Sequence, residues 1–236
     1  MNIQFTSAAF LVVIGISPSS PANKFAHSAP ADTSIIRNGA RHVHEIALTF
    51  DACSPGRHPG FDRRVISVLE STQTPATLFL GGLWMIRYPS VTRRLAASPL
   101  FEIGNHTYSH PHLSRISAAS LLHQIGSVDS IFHSLTGRTM GYFRPPYGEL
   151  TDSVVNAAAS FGLTTVLYDL PSGDPDTTFT AERLVSWVSR KARNGSIIVM
   201  HMNGRGWHTA EALPTIIANL RARGFRFVTV GRLQRE

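Results

Sequence analysis

The feature that most constrains this chain is a repeated order of short apolar runs and amphipathic stretches, with a glycine closing many of the stretches. From Val43 onward the strand-like runs are Glu45 to Phe50, Ala76 to Leu80, Phe101 to Ile103, Gly141 to Phe143, Thr164 to Tyr168, Ser196 to Met200 and Phe225 to Val230. Between them, Phe61, Val65, Val68 and Leu69 form a helical stripe, and Leu213, Ile216, Ile217 and Leu220 form another. Thr151 and Thr180 read as helix starts, and Pro214 sits near the start of its helix, where a missing N–H is tolerated. Gly137, Gly162, Gly195 and Gly224 each follow a helical stretch and precede a strand. Strand, helix, glycine and strand in that order predict an α/β fold with parallel pairing and right-handed crossovers. The pattern leaves open whether seven such units close into an incomplete barrel or lie as an open sheet. In both, reactive groups gather at the carboxyl ends of the strands.

The length of 236 residues and a hydrophobic content of 43% suit a single domain with a proper core. An apolar run from Ala8 to Ile16, followed by a Ser- and Pro-rich stretch, is too short to span a membrane and reads as the core of an export signal, although residues 1–6 carry no Lys or Arg. The expected organisation is therefore a leader and tail over residues 1–41, a catalytic domain over 42–236, and a periplasmic or extracellular location, with a cytoplasmic one as the alternative. The net charge of +7 fits attraction to acidic polymers or anionic surfaces. Nucleic acid is not an expected partner, because the arginines are scattered (Arg63, Arg64, Arg93, Arg94, Arg221, Arg223) and no nucleic-acid motif is present. The single cysteine, Cys53, excludes an internal disulfide.

Each strand end carries a group with chemical capacity and a plainer reading. Asp51 can act as a base or cap the next helix. His106 and His110, four apart, place two imidazoles on one side of a helical turn, where they can share a metal ion; His112 is off that spacing. Arg144 in Arg144-Pro145-Pro146-Tyr147 can hold a carboxylate, and Tyr147 can offer its backbone N–H or hydroxyl to a substrate oxygen. Asp169 or Asp174 can orient a histidine. His201, ending an apolar strand, can serve as a general acid or be a hydrogen-bonded core residue. Together they form the inventory of metal-assisted hydrolysis: a cation site, a base, an acid and an oxyanion donor.

These segments, in this order, resemble the polysaccharide deacetylases with the NodB-homology domain. The resemblance runs from Ile46 to Leu233 and rests on Thr49-Phe50-Asp51, His106 to His110, Arg144 to Gly148, the Asp169 to Asp174 region and Ile198 to His201. Pro75 to Phe79, Thr209 to Leu213 and Phe225 to Val230 extend it. It implies a distorted (β/α)7 barrel and removal of N- or O-acetyl groups from a glycan such as chitin oligosaccharide, peptidoglycan or another exopolysaccharide. It further implies Asp51 as base, His106 and His110 as ligands of zinc or a similar divalent ion, Arg144 orienting Asp51, Tyr147 at the oxyanion and His201 as acid.

The chain departs from the family pattern at one informative place. The aspartate that normally follows the catalytic one, and supplies the third metal ligand, is Ala52 here. An added water or Asp51 itself ranks ahead of the Cys53 thiolate as its replacement, although Cys53 shares the strand face of Asp51. Pro175 also stands where the family usually has an aromatic after the last aspartate, which leaves the partner of His201 open between Asp174 and Asp169, with Asp174 favoured. Two alternatives accompany the deacetylase reading: a catalytically weakened glycan-binding module on the same fold, and a hydrolase of a small non-peptide amide. A groove walled by Trp84, Trp207 or Tyr147 favours a polymer. Trp207 in the loop after His201 is the first expected wall, and Pro145 a second substrate contact.

Overall fold

The computed structural model of the chain describes residues 33–53 and 60–235, and the expected leader lies outside them. In chain order the first half comprises β1 (Ile35–Ile36), β2 (Glu45–Ala52), α1 (Arg63–Ser71), β3 (Ala76–Leu80), α2 (Gly82–Arg87), α3 (Pro89–Ala97), β4 (Phe101–Asn105) and α4 (Ala118–Thr136). The second half comprises β5 (Tyr142–Phe143), α5 (Asp152–Ser160), β6 (Thr164–Val166), β7 (Leu170–Pro171), α6 (Ala181–Lys191), β8 (Ile197–His201), α7 (Thr209–Ala222), β9 (Arg226–Phe227) and α8 (Val230–Leu233). The sheet runs β1-β6-β5-β4-β3-β2-β8-β7, with β9 also on β2, and every pairing is parallel. The row curls without its ends meeting, which makes it a distorted (β/α)7 barrel.

Strand β2 lies inside the row, paired with β3, β8 and β9, and all eight of its residues are buried. Both faces of a parallel sheet are covered, so alternation appears as a change of partner and not of exposure. Ile46, Leu48, Phe50 and Ala52 join the main apolar cluster with residues of the surrounding helices, such as Val65, Leu69, Ile216 and Leu220. Ala47 joins a smaller cluster with Phe79, Val166, Ile197, Val230 and Leu233, which closes the amino end of the barrel. Helix α8 is part of that closure: Glu102 accepts from Thr77 Oγ1 at 2.9 Å and from the Gly231 N–H at 3.0 Å. The alternate positions Thr49 and Asp51 are polar and also buried.

The helix signals act where the sequence places them. Thr151 and Thr180 cap α5 and α6, accepting from the N–H groups of Val154 and Arg183. Gly137 closes α4 in the left-handed conformation, with φ 70°. Four details differ from expectation. Residues 35–41, read as tail, contribute β1, which pairs with β6, and an Arg41–Asp169 ion pair at 2.7 Å. The expected strand from Thr164 stops at Val166, and the chain forms β7 separately at Leu170–Pro171. The last apolar run divides into β9 and α8. Pro214 lies inside α7 beyond the first turn, so the Ala210 carbonyl loses its usual donor.

Gly195 joins α6 to β8 with φ 70°, and a Cβ there would collide with the backbone oxygen of Gly39, whose N–H donates to the Gly195 carbonyl. Gly195→Ala therefore meets both backbone strain and a clash. It is expected to lower the unfolding free energy by about 1–3 kcal/mol or more, read as a fall in Tm by calorimetry.

Candidate active site

At the carboxyl ends of the strands lies a cavity of about 240 Å³ whose walls include Asp51, Cys53, His106, His110, Arg144, Pro145, Tyr147, Asp174 and His201. Its floor is Arg144, which is 1% exposed. The guanidinium sits over the Phe79 ring, 4.1 Å from its centroid, on top of the apolar closure. Its Nη1 donates to Asp51 Oδ1 at 2.8 Å and Thr49 Oγ1 at 2.7 Å, and its Nη2 donates to the Leu167 carbonyl at 3.1 Å. Burial works against the Asp51 carboxylate, but the Arg144 charge and hydrogen bond outweigh it and hold Asp51 below the ordinary carboxylate range.

The same arginine also fixes a histidine. The Arg144 carbonyl lies 2.8 Å from His106 Nδ1. A carbonyl only accepts, so Nδ1 carries the proton and Nε2 presents its lone pair. Nε2 then faces Asp51 Oδ2 at 3.6 Å. Burial pushes the His106 pKa down, so a neutral imidazole and a carboxylate confront each other with no proton between them. The Nε2 lone pair is thus free to bind a cation beside the carboxylate.

His110 is brought beside His106, with ring centroids 4.9 Å apart. The helical turn expected for this pair does not form. Residues 106–112 are a loop in which Thr107 and His110 adopt positive φ of 62° and 60°. The loop is held by Asn105 Oδ1 accepting from the Thr107 N–H, Thr107 Oγ1 accepting from the His110 N–H, and Gln124 of α4 accepting from the Ser109 N–H. Positive φ at a β-branched residue is strained, and such strain concentrates at functional sites. His110 Nδ1 is buried with no hydrogen-bond partner among the described residues, and burial pushes its pKa down to about 3. The ligand atoms of Cys53, His106 and His110 all lie within 4.8 Å of one another, and among the described residues no other set of His, Cys, Asp and Glu forms such a group. Two neutral imidazoles, one of them with an orphaned buried nitrogen, and a soft sulfur are a donor set that fits a divalent transition ion such as zinc. Burial and the nearby Asp51 charge push the Cys53 thiol up to about 12.

Opposite stands His201, the last residue of β8. Its Nδ1 is 2.9 Å from Asp174 Oδ1, and its backbone N–H donates to Asp174 Oδ2 at 2.7 Å. Asp174 also accepts from Ser172 Oγ at 2.9 Å and Thr209 Oγ1 at 2.6 Å. Burial opposes the imidazolium, but the hydrogen bond and charge of Asp174 outweigh it and raise the His201 pKa. Asp169 is engaged elsewhere, with Arg41, Arg193 and the Ile197 N–H.

The structure thus gathers the expected groups apart from two tryptophans. Trp207 is 55% exposed and outside the cavity wall, though its backbone N–H donates to the Asp174 carbonyl. Trp84 is fully buried in the core, donating to the Gly60 carbonyl, and walls nothing. Tyr147, at φ 58°, stacks on His112 with centroids 4.1 Å apart and meets His110 edge-on at 4.6 Å. Sequence reasoning missed Thr49, Ser172, Thr209 and Asn203. The alternation along β2 that places Asp51 also points to Thr49; the others depend on loops meeting in space.

Comparison with known proteins agrees with this geometry. The family model for polysaccharide deacetylase matches residues 38–166. A peptidoglycan-N-acetylglucosamine deacetylase of Bacillus cereus is 32% identical over 192 residues, covering 80% of this chain and 88% of that protein. The solved structure of a peptidoglycan N-acetylglucosamine deacetylase in complex with 4-naphthalen-1-yl-N-oxidanyl-benzamide superposes with a TM-score of 0.78 at 29% identity, over 85% of this chain and 92% of that one. A CE4 family pseudoenzyme from Bacillus anthracis superposes with a TM-score of 0.76 at 25% identity, over 87% and 69% of the two chains. The chain belongs to the polysaccharide deacetylase family.

Proposed function

We propose that the protein is an exported, metal-dependent hydrolase that removes N- or O-acetyl groups from a glycan. The observation that carries this reading is the meeting, in one cavity, of an ionised carboxylate (Asp51), a histidine whose proton is retained by a carboxylate (His201), and two neutral imidazoles (His106, His110). Protein relatives named for peptidoglycan and chitooligosaccharide deacetylation support a glycan substrate. A divalent ion held by His106 and His110 supplies polarisation of the acetyl carbonyl and acidification of a water.

The remaining steps belong to the protein's own groups. Asp51 Oδ1 is occupied by Arg144, which leaves Oδ2 to take a proton from the attacking water. The charge that develops on the acetyl oxygen is met by the backbone N–H of Tyr147, held in place by its strained turn. His201 Nε2, opposite the Asp174-bound nitrogen, gives its proton to the departing amine or alcohol. Acetate and the free sugar group leave, and the proton taken by Asp51 balances the one given by His201. Pro145 lines the wall beside Arg144 and contacts substrate. Trp207, exposed beyond the wall, meets a longer glycan outside the cavity.

A second reading, a glycan-binding module with little catalysis, draws on Ala52 and on the structural likeness to a pseudoenzyme. Acetate release from acetylated chitin and peptidoglycan oligosaccharides separates the two. The proposed enzyme releases acetate, stops after chelation and resumes with zinc, whereas glycan binding without acetate overturns it. Asp51→Asn is expected to reduce kcat by roughly 10²–10⁴-fold with substrate binding retained. Because Asp174 raises the His201 pKa, Asp174→Asn lowers it, so His201 loses its proton sooner on alkalinisation. The falling alkaline limb of the kcat/KM profile is therefore expected at lower pH than in the wild type.

A further inference from the structure

We infer that the Cys53 thiolate is the third protein ligand of the cation site, replacing the carboxylate that Ala52 lacks and giving a Cys-His-His centre. This rests on the metal-dependent reading above, and it reverses the ranking that the sequence alone supports.

Successive residues along β2 and just beyond it point to opposite faces. Ala52 is fully buried in the apolar cluster on the helix side and does not line the cavity. Cys53 lies on the opposite face, 2% exposed, and lines the cavity with Asp51. Its sulfur belongs to the group whose ligand atoms lie within 4.8 Å of one another. Asp51, the competing ligand, has Oδ1 bound by the buried Arg144, and the proposed reaction needs Oδ2 for the attacking water.

A second, independent observation concerns what surrounds the sulfur. Asn203, 4% exposed, donates from Nδ2 to Cys53 Sγ at 3.1 Å and to the Cys53 carbonyl at 3.1 Å. The amide is oriented by the Arg205 N–H, which donates to Asn203 Oδ1. A neutral thiol gains little from a buried amide donor, whereas a metal-bound thiolate uses one, as outer-shell donors to ligands commonly do. A divalent ion deprotonates a coordinating thiol outright, and the proton passes to solvent as the metal–sulfur bond forms. Two imidazoles and one thiolate leave a fourth position open for water or substrate, as a catalytic zinc site requires. The soft sulfur also biases the site toward zinc and away from magnesium or manganese.

Cobalt(II) titration of the ion-free full chain tests this. The expected result is one cobalt per chain with a sulfur-to-cobalt charge-transfer band in the near ultraviolet, displaced stoichiometrically by zinc. Asn203→Ala is expected to weaken zinc binding by about 10–100-fold. Cys53→Ser should weaken it further and abolish the band, with thermal unfolding confirming that both variants fold. Stoichiometric cobalt without the band overturns the thiolate assignment while leaving the deacetylase reading to the acetate assay. Failure of the wild-type chain to bind either ion overturns the Cys-His-His centre, and acetate release by that ion-free chain would overturn the metal-dependent reading separately.

Discussion

The structure turns on the buried ion pair between Arg144 and Asp51. Two charges withdrawn from water need most of their remaining hydrogen-bonding capacity met. Here Thr49 and the Leu167 carbonyl take further guanidinium protons and the Phe79 face supports the cation from below, while the buried Nε–H has no hydrogen-bond partner among the described residues. The backbone of the same residue orients His106. One arginine therefore sets both the ionisation of the candidate base and the direction of a candidate metal ligand. The apolar closure beneath it, with α8 pinned through Glu102, keeps water from reaching the pair from the amino end of the barrel.

A second constraint is the two-residue period of β2. Positions 47, 49, 51 and 53 meet the barrel interior as Ala, Thr, Asp and Cys, while 46, 48, 50 and 52 pack as apolar residues toward the helices. Ala52 is at home in that packing. The departure from the family pattern thus falls on the core side of the strand, and the side chain that faces the candidate cation site is its neighbour. Family membership sets the expectation of a hydrolase, but which atoms complete the site is a property of this chain.

Much of the fold was legible because it rests on local rules. The parallel order followed from strand, helix and glycine punctuation, and capping by Thr151 and Thr180 acted as read. The two-residue strands β1 and β7 were not legible, since each exists only through its partner in the sheet. The histidine pair was read correctly as a pair but with the wrong backbone: the contact comes from a loop held by Asn105, Thr107 and the distant Gln124, not from helical spacing. Trp84, an expected groove wall, lies in the core instead, where the Gly60 carbonyl satisfies its indole N–H. The choice of Asp174 over Asp169 depended on the resemblance, and its support from Ser172 and Thr209 becomes visible only when the loops meet.

The central claim is that these strand ends grip one cation beside Asp51. Anomalous diffraction at the zinc edge from crystals of the zinc-loaded protein tests it most directly. The account predicts one strong peak about 2.0–2.1 Å from a nitrogen of His106 and of His110, on the side facing Asp51. A map with no peak there, or with the two rings turned apart and zinc bound elsewhere, would contradict it.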